Sequence, residues 1–330
     1  MNSINGYLQQ CGDCPQPDGY IAYISMGYLT QKDFYGGLGY CKNGKHHTAN
    51  VDWGAGPLNA YSLLAEHPGS HLQIGLYMVK QARKLAEGEL DKDIKHLSKF
   101  FREFPSSTFY LRIGYEFDGE WNDYYPGEFV KAYRYLVDGL RKRKVTNVKY
   151  VWHACASPID DIIEGYKEDL MPYYPGDEYV DWLAISWFLP PQVGPVGSSQ
   201  KELSDELVAI ARLKNKPLMI AESANQGYSN SDLTKRNITE ILDGKAGRDR
   251  LSKSADQIWA EWYAPLFAWM EENGDVVKAF SYINANWDSQ QMWGPPYKQG
   301  YWGDSRIEAN EELKKRWKEE FSKPFWKEGR

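Results

Sequence analysis

Two glutamates stand where an apolar run gives way to a polar loop. Glu116 follows Tyr110-Leu-Arg-Ile-Gly-Tyr and precedes Phe-Asp-Gly-Glu-Trp121-Asn122, while Glu222 closes Pro217-Leu-Met-Ile-Ala and precedes Ser-Ala-Asn-Gln. Glycosidic-bond cleavage needs such a pair. One carboxyl group, protonated, releases the leaving oxygen, and the other, ionised, attacks carbon or activates water; a separation of roughly 5–5.5 Å gives retention and a wider one inversion. Two carboxyls in one hollow also split their pKa values, because each charge disfavours ionisation of the other. The blander alternative makes each glutamate a structural ion-pair partner. Arg112 lies four residues before Glu116, on the same face if the strand continues. A guanidinium keeps its proton and binds carboxylate bidentately, so Arg112 is expected to hold a glutamate ionised or oriented. His153 ends another apolar run and faces the same side, as a structural residue or a ligand contact. Trp121 and Asn122 follow Glu116 in the loop. Trp187 closes a further run, where its ring can stack on a sugar or its indole N–H orient Glu222.

These side chains need a scaffold that brings distant strand ends together. From Gly19 onward β-rich runs alternate with amphipathic helical patterns, the signature of parallel strands joined by crossover helices. Strands are predicted over Tyr20–Tyr28, Leu72–Val79, Thr108–Phe117, Val148–Ala154, Val180–Phe188, Pro217–Ser223 and Val277–Asn284. Helices are predicted over Asp91–Phe104 and Phe129–Lys142, and from an N-cap at Ser254, with Pro265 as a kink. An eighth strand is expected between Tyr40 and Glu66 if the sheet closes. No linker or shift in composition interrupts the pattern, which predicts an α/β chain forming a single (β/α)8 barrel over residues 1–330, with 1–18 as an N-terminal extension. In such a barrel the C-terminal strand ends converge on one face. A doubly wound open sheet is the rival, without its early Gly-rich phosphate turn. The polar stretch Asn225–Lys253 reads as an insertion on the catalytic face.

Composition narrows the partners. With 39 Lys+Arg against 45 Asp+Glu, a net charge of −6 gives no electrostatic reason to expect nucleic acid or an anionic membrane. The 13 Trp, 24 Tyr and 12 Phe make up 15% of the chain, more flat rings than a core needs; stacking on sugars is one use for the surplus. No run approaches the roughly 20 apolar residues of a membrane span. Met1–Asn5 lacks the features of a signal peptide, so the chain is either cytoplasmic or, as its chemistry favours, secreted or periplasmic with a signal removed. Cys11 and Cys14 form a C-x-x-C that fits a redox pair, half a zinc site or a structural disulfide; nothing completes a metal site. His46 and His47 are adjacent rather than one helical turn apart, no loop cradles phosphate, and no Gly-x-Ser-x-Gly elbow occurs. No cofactor or metal is expected, and the chain is expected to be a monomer.

Residues 112–121, Arg-Ile-Gly-Tyr-Glu-Phe-Asp-Gly-Glu-Trp, resemble the acid/base motif of glycoside hydrolase family 26, Arg-Pro-Leu-His-Glu-Met-Asn-Gly-Ser-Trp, with Arg, Glu, Gly and Trp in register. The likeness continues through Tyr133–Arg141, Thr146–His153, Tyr179–Ser186 and the run bearing Glu222, covering about residues 105–290. It implies a (β/α)8 barrel with the acid/base after strand 4 and the nucleophile after strand 7, hence Glu116 as acid/base and Glu222 as nucleophile of a retaining enzyme. It also implies a sugar-stacking platform near Trp287. By likeness the first expected activity is endo-acting β-mannanase, with xylan, mixed-linkage glucan and algal galactans as alternatives, and a non-catalytic carbohydrate-binding barrel as the reading from another class. Two departures bear on specificity: Tyr115 stands where the family has His, and Asp118 where it has Asn. Tyr115 can donate a hydrogen bond and stack, but it does not titrate near neutrality as His does.

Overall fold

The computed structural model describes residues 3–32, 35–42, 45–47, 51–53 and 56–326. Seven parallel strands form one curled sheet, each pairing with its successor: β1 (Gly19–Ser25), β2 (His71–Tyr77), β3 (Phe109–Ile113), β4 (Val148–Ala154), β5 (Trp182–Trp187), β6 (Leu218–Ser223) and β7 (Val277–Phe280). All seven predicted strands are present, with ends trimmed where the chain turns into the catalytic-face loops. The predicted helices form at Asp91–Glu103 and Pro126–Lys142. Ser254 caps its helix through a reciprocal box with Gln257, which satisfies two otherwise orphaned backbone donors. Pro265 does not break that helix. The turn over Trp259–Tyr263 widens to π geometry just before it, and this absorbs the missing N–H.

The expected position of the eighth strand is wrong. Within Tyr40–Glu66 the described residues form an antiparallel hairpin, Tyr40–Lys42 with Lys45–His47, and the helix Ala60–Glu66, none of it in the parallel sheet. A tight hairpin cannot deliver a parallel strand, which needs a crossover connection; β1 instead pairs directly with β2. The open position in the ring lies between β7 and β1. A cavity of about 1660 Å³ occupies it, lined by Ile21, Tyr23, Val277, Ala279, Phe280 and Trp317 among others.

Side chains alternate across the strands. Leu111, Ile113, Trp152, Leu183, Ile185 and Ile220 face the helices and join the main core. Val151, Ala184, Met219 and Ala221 face inward and form a small apolar cluster of their own with Tyr110 and Trp182. Polar residues take over above that cluster, toward the C-terminal strand ends. The helix Ser3–Gln10 packs outside, where Trp317 donates to the Tyr7 hydroxyl, and Cys11 and Cys14 form a disulfide.

Candidate active site

Arg112, His153, Ser186 and Glu222 come from β3, β4, β5 and β6, and their side chains meet inside the barrel rim. Arg112 is fully buried and its Nη1 is ion-paired with Glu222 Oε1. The same Nη1 is 3.3 Å from His153 Nδ1. His153 Nε2 is 3.1 Å from Ser186 Oγ, and Ser186 Oγ donates to Glu116 Oε1 at 2.6 Å. The two sequence-predicted glutamates thus share one polar network, and each is buried.

The backbone aims each of them by an irregularity. On β6, strict alternation would set Glu222 beside Leu218 and Ile220, facing the helices. A register shift against β5, where Ile185 pairs Ile220 but Ser186 pairs Glu222, inserts one residue and turns Glu222 inward. Bulges re-aim side chains in this way. Glu116 lies beyond the end of β3, so its link to Arg112 comes from a turn rather than from the shared strand face that its spacing suggests. Its φ is 52°, a left-handed conformation costing about 1–2 kcal/mol for a residue with a Cβ. Asn122 stabilises it, donating to the carbonyls of Tyr115 (3.1 Å) and Glu116 (2.7 Å). Gly114, also at positive φ, permits the turn: a Cβ there would stand 2.6 Å from Met78 Cε and 2.8 Å from the Phe129 ring.

Tyr115 and Tyr23 flank the Arg112 guanidinium, whose Cζ is 5.2 and 5.3 Å from the two ring centroids. Cation–π attraction of this kind is strongest when desolvated. Gly75 leaves the room. A Cβ there would fall 2.6 Å from the Tyr23 ring and 2.9 Å from Arg112 Nη2.

Burial, and then the charge of Glu222, push the Glu116 carboxyl up to about 8. Burial lowers His153 well below its usual range, with Arg112 adding to the effect. Burial also works against the Arg112 charge, but Glu222 and Tyr23 outweigh it and leave the guanidinium firmly protonated. Beneath the Glu116 loop, Asp118 accepts from the Cys155 N–H at 2.6 Å, and burial pushes it up to about 6. Asp160 accepts from the Glu120 N–H at 3.4 Å; burial first, then the Asp118 charge, push it up to about 7. Among the described residues no group of three or more His, Cys, Asp or Glu side chains is arranged to hold a metal ion.

Three expected sugar contacts need correction. Trp187 is 0% exposed; because Ser186 faces inward, Trp187 faces the helices, with its ring 5.1 Å from Trp269. It can neither stack on a sugar nor reach Glu222. Asn122 is turned back onto its own loop. Trp287 is only 5% exposed, its indole N–H donating to Ser305 Oγ at 2.9 Å. Trp302 stacks on it at 4.7 Å, and Trp293 meets it edge-on, so these half-buried neighbours shield it from solvent. Trp121 stands out at 55% exposure. Sequence reasoning missed Ser186, Tyr23 and Gly75. Ser186 had a signal, a small polar residue one position before a strand's end, but nothing in the pattern said which of Ser186 and Trp187 would face inward.

Residues 89–246 match the model for glycosyl hydrolase family 26, a span that includes both glutamates. The chain is 34% identical to β-1,3-xylanase TXYA of Vibrio sp. over 326 residues, 98% of this chain and 63% of that protein. It is also 34% identical to a β-1,3-xylanase of Alcaligenes sp. over 277 residues, 84% of this chain and 55% of that protein. The chain therefore spans less than two thirds of the length of these curated relatives. A modular endo-β-1,4-mannanase from Cellulomonas fimi shares the fold, with a TM-score of 0.56 at 14% identity over 97% of this chain and 66% of that one. Residues 89–246, both glutamates included, are thus similar to glycosyl hydrolase family 26, and the two 34%-identical relatives are β-1,3-xylanases.

Proposed function

We propose that the chain cleaves β-1,3-linked xylan with retention of anomeric configuration, Glu222 acting as nucleophile and Glu116 as acid/base. The observation that carries the reading is the unequal treatment of the two carboxyls in one network. Glu222 is ion-paired with the buried guanidinium of Arg112. Glu116, pushed up to about 8, holds its proton at neutral pH. In the first step Glu222 bonds to the anomeric carbon as the glycosidic C–O bond breaks, and the Glu116 proton goes to the leaving oxygen. In the second step Glu116, now a carboxylate, takes a proton from water as the water oxygen displaces Glu222. This chemistry calls on no metal. Tyr23 and Tyr115 hold the guanidinium between their rings, and the exposed Trp121 is the candidate for stacking on sugar outside the reacting centre.

Mannan was the substrate suggested by the motif. The 34% identity to two β-1,3-xylanases favours xylan instead, and Tyr115 in place of the family His counts against mannan without choosing among the alternatives. The test is product release from β-1,3-xylan, β-1,4-xylan, β-1,4-mannan, mixed-linkage glucan, agarose and carrageenan. Release from β-1,3-xylan well above the others is expected. Cleavage of mannan alone would overturn the substrate, and binding without any cleavage would favour the carbohydrate-binding barrel. Among the described residues no helix is long and apolar enough to cross a membrane; secretion or a periplasmic location is part of the proposal, since a polymer of this kind lies outside the cell.

A further inference from the structure

The hydrogen bonds between the two glutamates run in one direction, ending with Ser186 Oγ donating to Glu116 Oε1, and that direction decides where protons sit. The inference rests on the acid/base reading of Glu116 given above. Arg112 has donors and no acceptor. Its Nη1, 3.3 Å from His153 Nδ1, therefore requires that nitrogen to carry the lone pair. His153 is buried and neutral at physiological pH, so its single proton is on Nε2, directed at Ser186 Oγ 3.1 Å away, with the Ile185 carbonyl as a second acceptor beside the ring. Ser186 Oγ accepts there, which leaves its own hydrogen for Glu116 Oε1 at 2.6 Å.

We propose that His153 and Ser186 are positioning residues for the acid/base: they fix a donor on Glu116 Oε1, so that the proton passed to the leaving oxygen is carried on Oε2. When Oε2 gives up that proton, negative charge appears on the carboxyl and the Ser186 hydrogen bond becomes charge-assisted, hence roughly twice as strong. An interaction that strengthens as the reaction proceeds accelerates it, whereas one equally strong before and after does not. The same bond opposes burial and the Glu222 charge, both of which disfavour ionisation of Glu116.

The test is the pH profile of kcat/KM on β-1,3-xylooligosaccharides, together with NMR titration of the chain carrying carboxyl-labelled glutamate. The Glu116 signal is assigned by its loss in Glu116→Gln. Glu222, Arg112, Asp118, Tyr115 and Cys155 all act electrostatically with Glu116, and Ser186→Ala leaves every one of them in place. In Ser186→Ala the basic limb and the Glu116 titration are expected to move together to higher pH, by roughly one unit, with kcat down about tenfold and KM little changed. His153→Leu is expected to move both the same way. His153→Gln, which retains one acceptor and one donor, is expected to restore most of the shift. Unmoved titrations in Ser186→Ala and His153→Leu would overturn the proposal. The NMR arm needs no turnover: if the substrate reading fails, the Glu116 titration still reports on Ser186.

Discussion

Glu116 and Glu222 occupy the same hollow but are held by opposite means. Glu222 sits inside a strand, turned inward by one extra residue, and a buried guanidinium neutralises it. Glu116 sits on a left-handed turn beyond a strand, tied down by Asn122, and it meets a hydroxyl rather than a cation. The same side-chain chemistry therefore meets a cation in one place, and in the other a hydroxyl and enough burial to push the carboxyl up to about 8. A pair arranged in this way would divide the work of the two-step displacement proposed above.

The comparison breaks most visibly if either carboxyl is neutralised for good. Glu222→Gln is expected to lower kcat on the polymer by about 10⁴-fold or more, because no nucleophile remains. Glu116→Gln is expected to cost about 10²–10⁴-fold on the polymer, but far less in the glycosylation of an aryl xyloside whose leaving group needs no proton. Equal losses on both substrates would contradict the assignment. Removing the cation instead of the carboxylate tests the ion pair that holds Glu222. Arg112→Met leaves a buried carboxylate unpaired, a change worth about 3–5 kcal/mol in comparable buried pairs. Both the thermal midpoint and kcat should fall, read by calorimetry and initial rates.

Away from the chemistry, Trp187→Ala is expected to destabilise by about 3–5 kcal/mol through the cavity left beside Trp269, while KM of the remaining folded enzyme stays near wild type. Were Trp187 a sugar platform, KM would rise instead. The pH dependence of stability follows from the raised carboxyls. A buried carboxyl with a raised pKa keeps its proton when folded and loses it when unfolded, so folding is favoured in mild acid; the advantage fades as pH climbs from the ordinary carboxyl range to the folded value. Glu116 at about 8, Asp160 at about 7 and Asp118 at about 6 act in one direction. The thermal midpoint is expected to decline between about pH 4 and pH 8, followed by scanning calorimetry in matched ionic strength. The smallest expected effect belongs to the exposed Trp121: Trp121→Ala should raise KM by roughly three- to tenfold with kcat and stability almost unchanged, the scale of one lost aromatic contact.

How far the sequence could be read depends on which physical signal each feature leaves. The strands are legible because both their faces are buried, which makes near-continuous apolar runs such as Leu72–Val79 and Pro217–Ser223. The helices are legible because one face is apolar, as in Ile94, Leu97 and Phe101. The ring's open position is not, because the Gly- and His-rich segment after Tyr40 looked vacant enough to hide a strand and in fact forms a hairpin. Glu116 and Glu222 could be found from their place at strand ends and from the family motif around Glu116. Their orientation could not be found, since it rests on a bulge and a positive φ that leave no periodic trace. For the same reason, Ser186 and Trp187 could not be told apart as inward and outward. Trp121 was legible as a loop aromatic. Trp287 was misjudged because a tryptophan near a strand end looks the same in sequence whether it lines a cleft or, as here, packs beneath Trp293 and Trp302.

The division of labour between the two glutamates is tested most directly by trapping the intermediate. A 2-deoxy-2-fluoro-xylobiosyl fluoride slows hydrolysis of the glycosyl-enzyme, and mass spectrometry of the digested protein locates the attached sugar. The sugar is expected on Glu222, in the peptide carrying Met219-Ile-Ala-Glu222, with an ester bond that turns over when acceptor is added. Attachment to Glu116, or no adduct together with a first-formed product of inverted configuration, would contradict it.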